Sequence, residues 1–107
     1  TERTTHSRVA RIEAGGHGYR AVRTPMDLAV SRQVIAAVEA ARGPSVKMPT
    51  LGGSVPLALI EDVVHVPMIL VPIANHDNNQ HSHNENLRLR NLWDAIETFA
   101  SLFTMPF

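Results

Sequence analysis

The feature that most constrains this chain is a nine-residue run, from Val66 to Ala74, that holds only apolar residues and prolines. The run is far shorter than the ~20 apolar residues of a membrane-spanning helix. It is apolar at both odd and even positions, so both faces of a strand here would need to be covered. Such runs are typical of strands inside parallel sheets. We therefore predict a buried strand over 66–72.

The segments around this run alternate between strand and helix patterns. Residues 8–13 alternate polar and apolar side chains, and 45–48 form a second short strand candidate. Apolar residues at three- and four-residue spacings predict helices over 28–42 and 55–64, and a third helix beginning at Asn91. Alternation of this kind predicts an α/β fold, a sandwich with a mostly parallel sheet flanked by helices.

The composition limits which binding partners and which metal ligands are possible for this chain. The 107 residues include ten Lys/Arg and ten Asp/Glu, so the net charge of zero argues against a nucleic-acid binder and against attraction to anionic membranes. With no cysteine, any metal must be bound by His, Asp or Glu. The first residues lack an initiator Met and a signal-peptide pattern, so we expect a fragment or processed product located in the cytoplasm.

The chemistry-bearing residues concentrate in one loop, 75–86, which has no apolar side chain. All six asparagines lie between Asn75 and Asn91, and Asn and Asp side chains can order such a loop through local hydrogen bonds. The loop follows the carboxyl end of the predicted strand, where ligands bind in open α/β sheets. Spacing alone leaves open whether the loop is a solvated connection or a metal site, with the candidate ligands His76, Asp77, His81, His83 and Glu85.

Three motifs, in order along the chain, resemble one family. The segments are Tyr19–Asp27 (YRAVRTPMD), Gly52–Pro56 (GGSVP) and His81–Glu85 (HSHNE). The last two resemble the G-G-S-[IV]-P turn and the H-S-P-N-E signature of the aminoacylase and carnosinase superfamily of dinuclear zinc hydrolases. The first is similar to the stretch in which that family's chain leaves the lid, or dimerisation, domain. The resemblance implies that residues 1–25 are a strand and the segment by which the chain returns from the lid domain, and that 26–107 are the C-terminal segment of the catalytic domain.

The resemblance also implies residue roles. His81 matches the family's last zinc ligand. Gly52, Gly53 and Ser54 match the turn that contacts the substrate's carboxylate, and Asn84 and Glu85 would orient the loop that carries His81. His83 departs from the family, which usually has Pro or a small residue there, and it adds a possible competing ligand.

The implied parent protein is a zinc-dependent, homodimeric peptidase or amidohydrolase with two zinc ions in each active site, although other divalent metals are possible. Its substrates would be small peptides or N-acyl amino acids. The family's remaining zinc ligands and its general-base Glu lie upstream, so this chain would depend on the remainder of the catalytic domain and should be inactive alone.

Two other functions stay open: a small His/Asn-rich metal-binding module, and a structural α/β module without catalysis. Outside the loop, we expect His65 to be a core or capping residue, and Arg20 and Arg23 to form structural ion pairs rather than contacts with a substrate carboxylate. The acidic pair Glu61–Asp62 is expected on a solvated helix face. If upstream strands are missing, uncovered apolar helix faces should favour self-association.

Overall fold

The computed structural model of the chain describes residues 18–53 and 55–106. These residues form three helices: α1 over Ala29–Arg42, α2 over Leu57–Val64 and α3 over Leu89–Thr104. The described residues contain no strand, so this part of the chain is all-α, and the predicted α/β sandwich with a parallel sheet is wrong. The strand predicted over 8–13 lies outside the described residues.

The apolar run is where the strand prediction fails. Residues 66–73 have no regular secondary structure. The backbone of Met68 bonds to a side chain rather than to another strand: its N–H donates to the Thr24 hydroxyl at 3.0 Å, and its carbonyl accepts from that hydroxyl at 2.7 Å. A strand exists only beside a neighbour whose backbone completes its hydrogen bonds. The pattern of apolar residues predicts which faces need cover, but it does not supply that neighbour.

The prediction of α1 is confirmed to within one residue. The helix ends at Gly43, whose φ of 79° lies in the region that glycine adopts without strain, and whose N–H donates to the Glu39 carbonyl at 2.9 Å. At the other end, the N-cap residue is Leu28, and among the described residues no side-chain hydrogen bond caps the helix. The Ser31 hydroxyl instead donates to the Pro25 carbonyl at 2.8 Å, which fixes the chain as it enters α1.

The other two helices also form close to their predicted positions. Helix α2 begins at Leu57, directly after Pro56, which is its N-cap residue. It ends at His65, which has a φ of 55° and donates its N–H to the Glu61 carbonyl at 2.8 Å. His65 is therefore a capping residue, one of the two roles expected for it, and it is exposed rather than in a core. The third helix begins at Leu89, two residues before the predicted start.

The core lies where α1 packs against α3. Ala37, Ala95 and Thr98 are buried there, and the Ser101 hydroxyl donates to the Ala37 carbonyl at 3.1 Å. Small side chains let the two helix backbones come close together. The Arg42 guanidinium closes one end of this contact through an ion pair with Asp94.

Outside the contact between α1 and α3, few large apolar side chains are shielded from solvent. No large side chain among the described residues is fully buried, and the buried apolar residues are three alanines, Ala37, Ala58 and Ala95. Trp93 is 60% exposed and Phe103 is 82% exposed, both on α3. The structure thus presents α2, α3 and the apolar run with much of their apolar surface open.

Candidate functional site

The polar loop is held together at its base by Asn75, a residue that is only 5% exposed. Its amide nitrogen donates to Asp77 Oδ1 at 2.8 Å and to Asn86 Oδ1 at 3.3 Å. Its amide oxygen accepts from the backbone N–H of Arg88 at 3.0 Å. One side chain therefore connects the first residues of the loop to the last. We call Asn75, Asp77, Asn86 and Arg88 the loop base, and residues 75–88 the His81 loop.

The loop base also carries a pair of opposite charges. The Arg88 guanidinium forms an ion pair with Asp77 across the two ends of the loop. The hydrogen bond from Asn75, assisted by the positive charge of Arg88, holds the pKa of Asp77 below its ordinary value. Asp77 is thus a carboxylate at neutral pH and is already bound by two partners.

Hydrogen bonds inside the loop fix its course between these ends. The Asn86 N–H donates to the Asn78 carbonyl at 2.9 Å, and the Ser82 N–H donates to the Asn79 carbonyl at 2.9 Å. The Asn78 side chain accepts from the Gln80 N–H at 3.1 Å, which is the local side-chain-to-backbone bond that Asn favours. The prediction that asparagines order this loop without an apolar anchor is confirmed.

Three residues of the loop have positive φ angles: Asn79 at 52°, His81 at 62° and Asn84 at 59°. Asparagine adopts the left-handed region more readily than most residues, and histidine is also enriched there. Such a conformation persists where the surrounding contacts hold it, and it is frequent at functional positions. His81 lies near the middle of the loop and is exposed, and its φ angle sets the direction of its Cα–Cβ bond.

His81 is the one predicted metal ligand that the family resemblance singles out. No group of three or more His, Cys, Asp or Glu side chains able to hold a metal ion is found within residues 18–53 and 55–106. The donor set fits zinc only in part: the exposed imidazole is a suitable ligand, and a zinc site needs three or four. The other ligands would have to come from residues beyond those described.

The remaining predicted site residues divide into three cases. Gly52 and Gly53 lie in an exposed bend, and in the described part of the chain no hydrogen bond joins them to the His81 loop. Ser54 lies outside the described residues. Asn84 contributes to the loop through its carbonyl, which accepts from the Asn86 side chain at 2.9 Å, whereas Glu85 is exposed. The substrate-binding and orienting roles of these residues stay predictions.

Away from the His81 loop, a concave region of about 440 Å³ lies between α2 and the segment that precedes α1. Arg20 lies on it and forms ion pairs with Glu61, at 2.8 Å, and with Asp62. The hydrogen bonds to Asp62 and Glu61 raise the pKa of Arg20. The expectation of a structural ion pair for Arg20 is confirmed. Asp62 is exposed and Glu61 is half-buried, so the acidic pair lies on a partly solvated helix face as expected, and both side chains also bind this guanidinium.

Of the four residues of the loop base, the sequence singles out only Asp77, as one of the candidate metal ligands. Asn75, Asn86 and Arg88 match no metal or catalytic motif, and their roles depend on which side chains meet when the chain closes the loop. The available signal was the concentration of asparagine between 75 and 91, which indicates side-chain-to-backbone bonding without saying which residue is central.

Comparison with protein-family models, with curated proteins and with solved structures finds no match for this chain. Within the described residues, no helix has both the length and the apolar character needed to cross a membrane. A functional assignment therefore depends on the His81 loop and on the motifs within and around it.

Proposed function

We propose that this chain supplies one metal-ligating loop of a zinc-dependent peptidase or amidohydrolase that acts on peptides or N-acyl amino acids. The observation that carries the proposal is the exposure of His81 together with its backbone conformation. Its side chain is exposed on a loop that is hydrogen-bonded at both ends, and its backbone has an uncommon left-handed conformation. An imidazole presented in this way, by an ordered loop, suits a metal ligand whose partners lie on other segments.

The nearby carboxylate does not compete for this role. Asp77 is held by Asn75 and Arg88, so its oxygens already have partners. His83 and Glu85 are exposed in the same loop, but neither is left-handed. His81 is therefore distinguished from its neighbours by backbone conformation as well as by the motif that it matches.

The chain's own contribution to the reaction would be to hold and orient. His81 would bind one ion through a neutral imidazole nitrogen, and the loop base would keep that nitrogen at a fixed position. The backbone N–H groups of Gly52 and Gly53, with Ser54, would bind the carboxylate of the substrate. Bound zinc ions would supply the remaining chemistry, an activated water and a polarised scissile carbonyl. In this proposal the general base and the other metal ligands come from sequence outside this chain. The proposed parent protein is a homodimer located in the cytoplasm.

The test is His81→Ala in the protein expressed with the sequence that flanks this chain. We expect turnover of dipeptides or N-acyl amino acids to fall by several orders of magnitude, because a catalytic metal loses a ligand. Zinc content, measured by atomic absorption, should fall with it. His83→Ala is the matched control, since it removes an exposed imidazole two residues away and should leave both quantities near the unchanged protein.

Two results would overturn the proposal. Near-normal zinc content and turnover in His81→Ala would remove the site assignment. Stoichiometric, tight zinc binding by the 107-residue chain alone would favour the metal-binding module instead, because a single imidazole should bind zinc weakly.

A further inference from the structure

We infer that the outward face of α3 is a dimerisation surface, on which α3 of a second copy of this chain packs in the antiparallel direction. The inference does not depend on the proposed metal site, because it uses only residues of α3. Six large apolar residues form this face, which we call the α3 stripe: Leu89, Leu92, Trp93, Ile96, Phe99 and Phe103.

The α3 stripe lies on the side of the helix that faces away from α1. The opposite side is occupied, because Ala95 and Thr98 are buried there and the Ser101 hydroxyl donates to the Ala37 carbonyl of α1 at 3.1 Å. The six stripe residues are between 37% and 82% exposed. One side of α3 therefore has its partner, and the other presents a continuous apolar surface to solvent.

The spacing of the α3 stripe indicates that its occupant is another helix. From Leu89 to Phe103 the spacings alternate between three and four residues, an average of about 3.5, which is the repeat of helices packed lengthwise on each other. The 16 residues of α3 span about 24 Å, so the occupant should have a similar length. Among the described helices, α2 has only eight residues, and the exposed residues of α1 are all alanine or arginine. Only α3 itself offers a matching face in this part of the chain.

The α3 stripe is also self-complementary about its centre, Ile96. Apolar residues lie three, four and seven positions away from Ile96 in both directions along the helix. The fourth position on the C-terminal side is Ala100, which is exposed and small enough to leave room for Leu92 of the second copy. A two-fold axis at Ile96, perpendicular to α3, therefore brings apolar residues opposite each other along the whole stripe, as a symmetric dimer interface requires.

Charge favours the antiparallel direction of this pairing. Arg90 lies in the first turn of α3, where the helix has no acidic residue, and its side chain is 82% exposed although it also bonds to Asp94. A positive charge is unfavourable at the N-terminus of its own helix and favourable beside the C-terminus of another. An antiparallel partner places its last turn, which has no basic residue, next to Arg90. A parallel partner would instead place two Arg90 side chains together.

The area of the α3 stripe matches what a stable dimer needs. If a fully exposed large apolar side chain presents about 200 Å², the six stripe residues leave roughly 700 Å² exposed on each copy. A standard interface buries about 800 Å² on each partner, and the polar rim beside the stripe supplies the remainder. The largest apolar patch on a typical monomer covers only about 300–600 Å².

Disulfide cross-linking tests both the surface and the direction, because the chain has no cysteine of its own. In the 107-residue chain, Ile96→Cys should form a linked dimer about tenfold faster than Ala36→Cys, an exposed control on α1, since the bond needs Cβ atoms roughly 4 Å apart. Leu89→Cys and Phe103→Cys should each link poorly alone and should link to each other when the two proteins are mixed.

Three outcomes of this experiment would overturn the inference. Equal rates for Ile96→Cys and Ala36→Cys would show random collision. Self-linking of Leu89→Cys and Phe103→Cys as fast as that of Ile96→Cys would exclude the antiparallel direction. The third outcome concerns the protein expressed with its flanking sequence, with any cysteine there replaced by serine. If the thiol at position 96 then neither links nor reacts with a maleimide, the flanking sequence covers the stripe instead of a second copy.

Trp93 provides an equilibrium measurement, because it is the only tryptophan of the chain and lies on the α3 stripe. Its emission should move to shorter wavelength as concentration rises and the dimer forms. Ile96→Glu should raise the dissociation constant of the dimer about tenfold or more, whereas Ala36→Glu, which adds the same charge on α1, should change it less than about twofold. Both positions are exposed, so the helices should be retained, as checked by circular dichroism. Equal effects of the two variants would contradict the inference.

Discussion

His81 shows at the residue scale how hydrogen bonds of a loop hold an uncommon backbone conformation under an exposed side chain. A histidine with a φ of 62° is uncommon, and here neighbouring asparagines at 79 and 84 share the left-handed conformation. The backbone turns that result depend on hydrogen bonds rather than on apolar packing. The backbone conformation of His81, and with it the direction of its Cα–Cβ bond, therefore depends on the few polar groups that form those bonds.

Asp77 makes this arrangement dependent on pH. Its pKa is held below the ordinary value, so its contribution to loop stability is fully present above the unfolded value of about 3.9 and is lost as pH falls through the folded value. We expect the amide protons of Asn86 and Arg88 to exchange faster with solvent as pH falls below ~4, after correction for intrinsic exchange.

Asp77→Asn is the control for that titration, because it removes the ionisable group and keeps the shape of the side chain. Protection of the same two amides should be lower at neutral pH and should no longer vary as pH falls through the acid range. Equal pH dependence in both proteins would show that another group controls the loop.

The polar loop shows which properties of single residues can be predicted from sequence and which depend on the folded chain. The composition of 75–86 correctly indicated an ordered polar loop, because the bonding preferences of Asn and Asp are local. The central place of Asn75 was not predictable, because it depends on Asn86 and Arg88 returning to the same point in space after a turn of more than ten residues.

At the scale of elements, local patterns were reliable for helices and failed for strands. The bounds of α1 follow from its apolar spacing and from Gly43-Pro44, all of which act within one or two turns. A helix completes its own hydrogen bonds, whereas a strand depends on a second segment. The prediction of a buried strand within the apolar run 66–74 is therefore wrong on both counts, because the run forms no strand and most of its residues are exposed.

Packing between α1 and α3 depends on small side chains, and Ala37 tests this directly. Ala37→Leu adds three carbon atoms where the helices meet and should lower the free energy of unfolding by about 1–3 kcal/mol, measured by urea denaturation. Ala36→Leu is the matched control, since Ala36 lies on the exposed side of the same helix. A loss of stability as large in Ala36→Leu would contradict the packing described here.

Thr24 tests the attachment of the apolar run to the segment before α1. Thr24→Val keeps the shape of the side chain but removes both hydrogen bonds to Met68, so we expect a loss of about 1 kcal/mol. Amide exchange at Met68 should accelerate. Thr50→Val is the control at an exposed position, and it should change neither the free energy of unfolding nor amide exchange at Met68. An unchanged exchange rate at Met68 in Thr24→Val would show that the hydroxyl does not hold the apolar run.

At the scale of the whole molecule, the main feature is uncovered apolar surface. The described residues bury three alanines and no large side chain completely, while Phe103 is 82% exposed near the end of α3. Since large apolar patches drive association, the isolated chain should form dimers or larger species as its concentration rises, as seen by sedimentation velocity.

Phe103→Asp should weaken that association by removing one of the most exposed aromatic rings. Thr104→Asp, its neighbour on the same helix end, adds the same charge without removing apolar surface and should have a smaller effect. A chain that stays monomeric at all accessible concentrations, or equal effects of the two variants, would show that these apolar faces do not control association.

The central claim, that His81 binds a catalytic metal, is tested most directly by anomalous diffraction at the zinc edge from crystals of the protein expressed with its flanking sequence. The account predicts a strong zinc peak about 2.0–2.1 Å from an imidazole nitrogen of His81, with no peak at His83. Its other ligands should come from segments outside the described residues. A zinc site located elsewhere, with the His81 imidazole in solvent or bonded only to protein groups, would contradict the account.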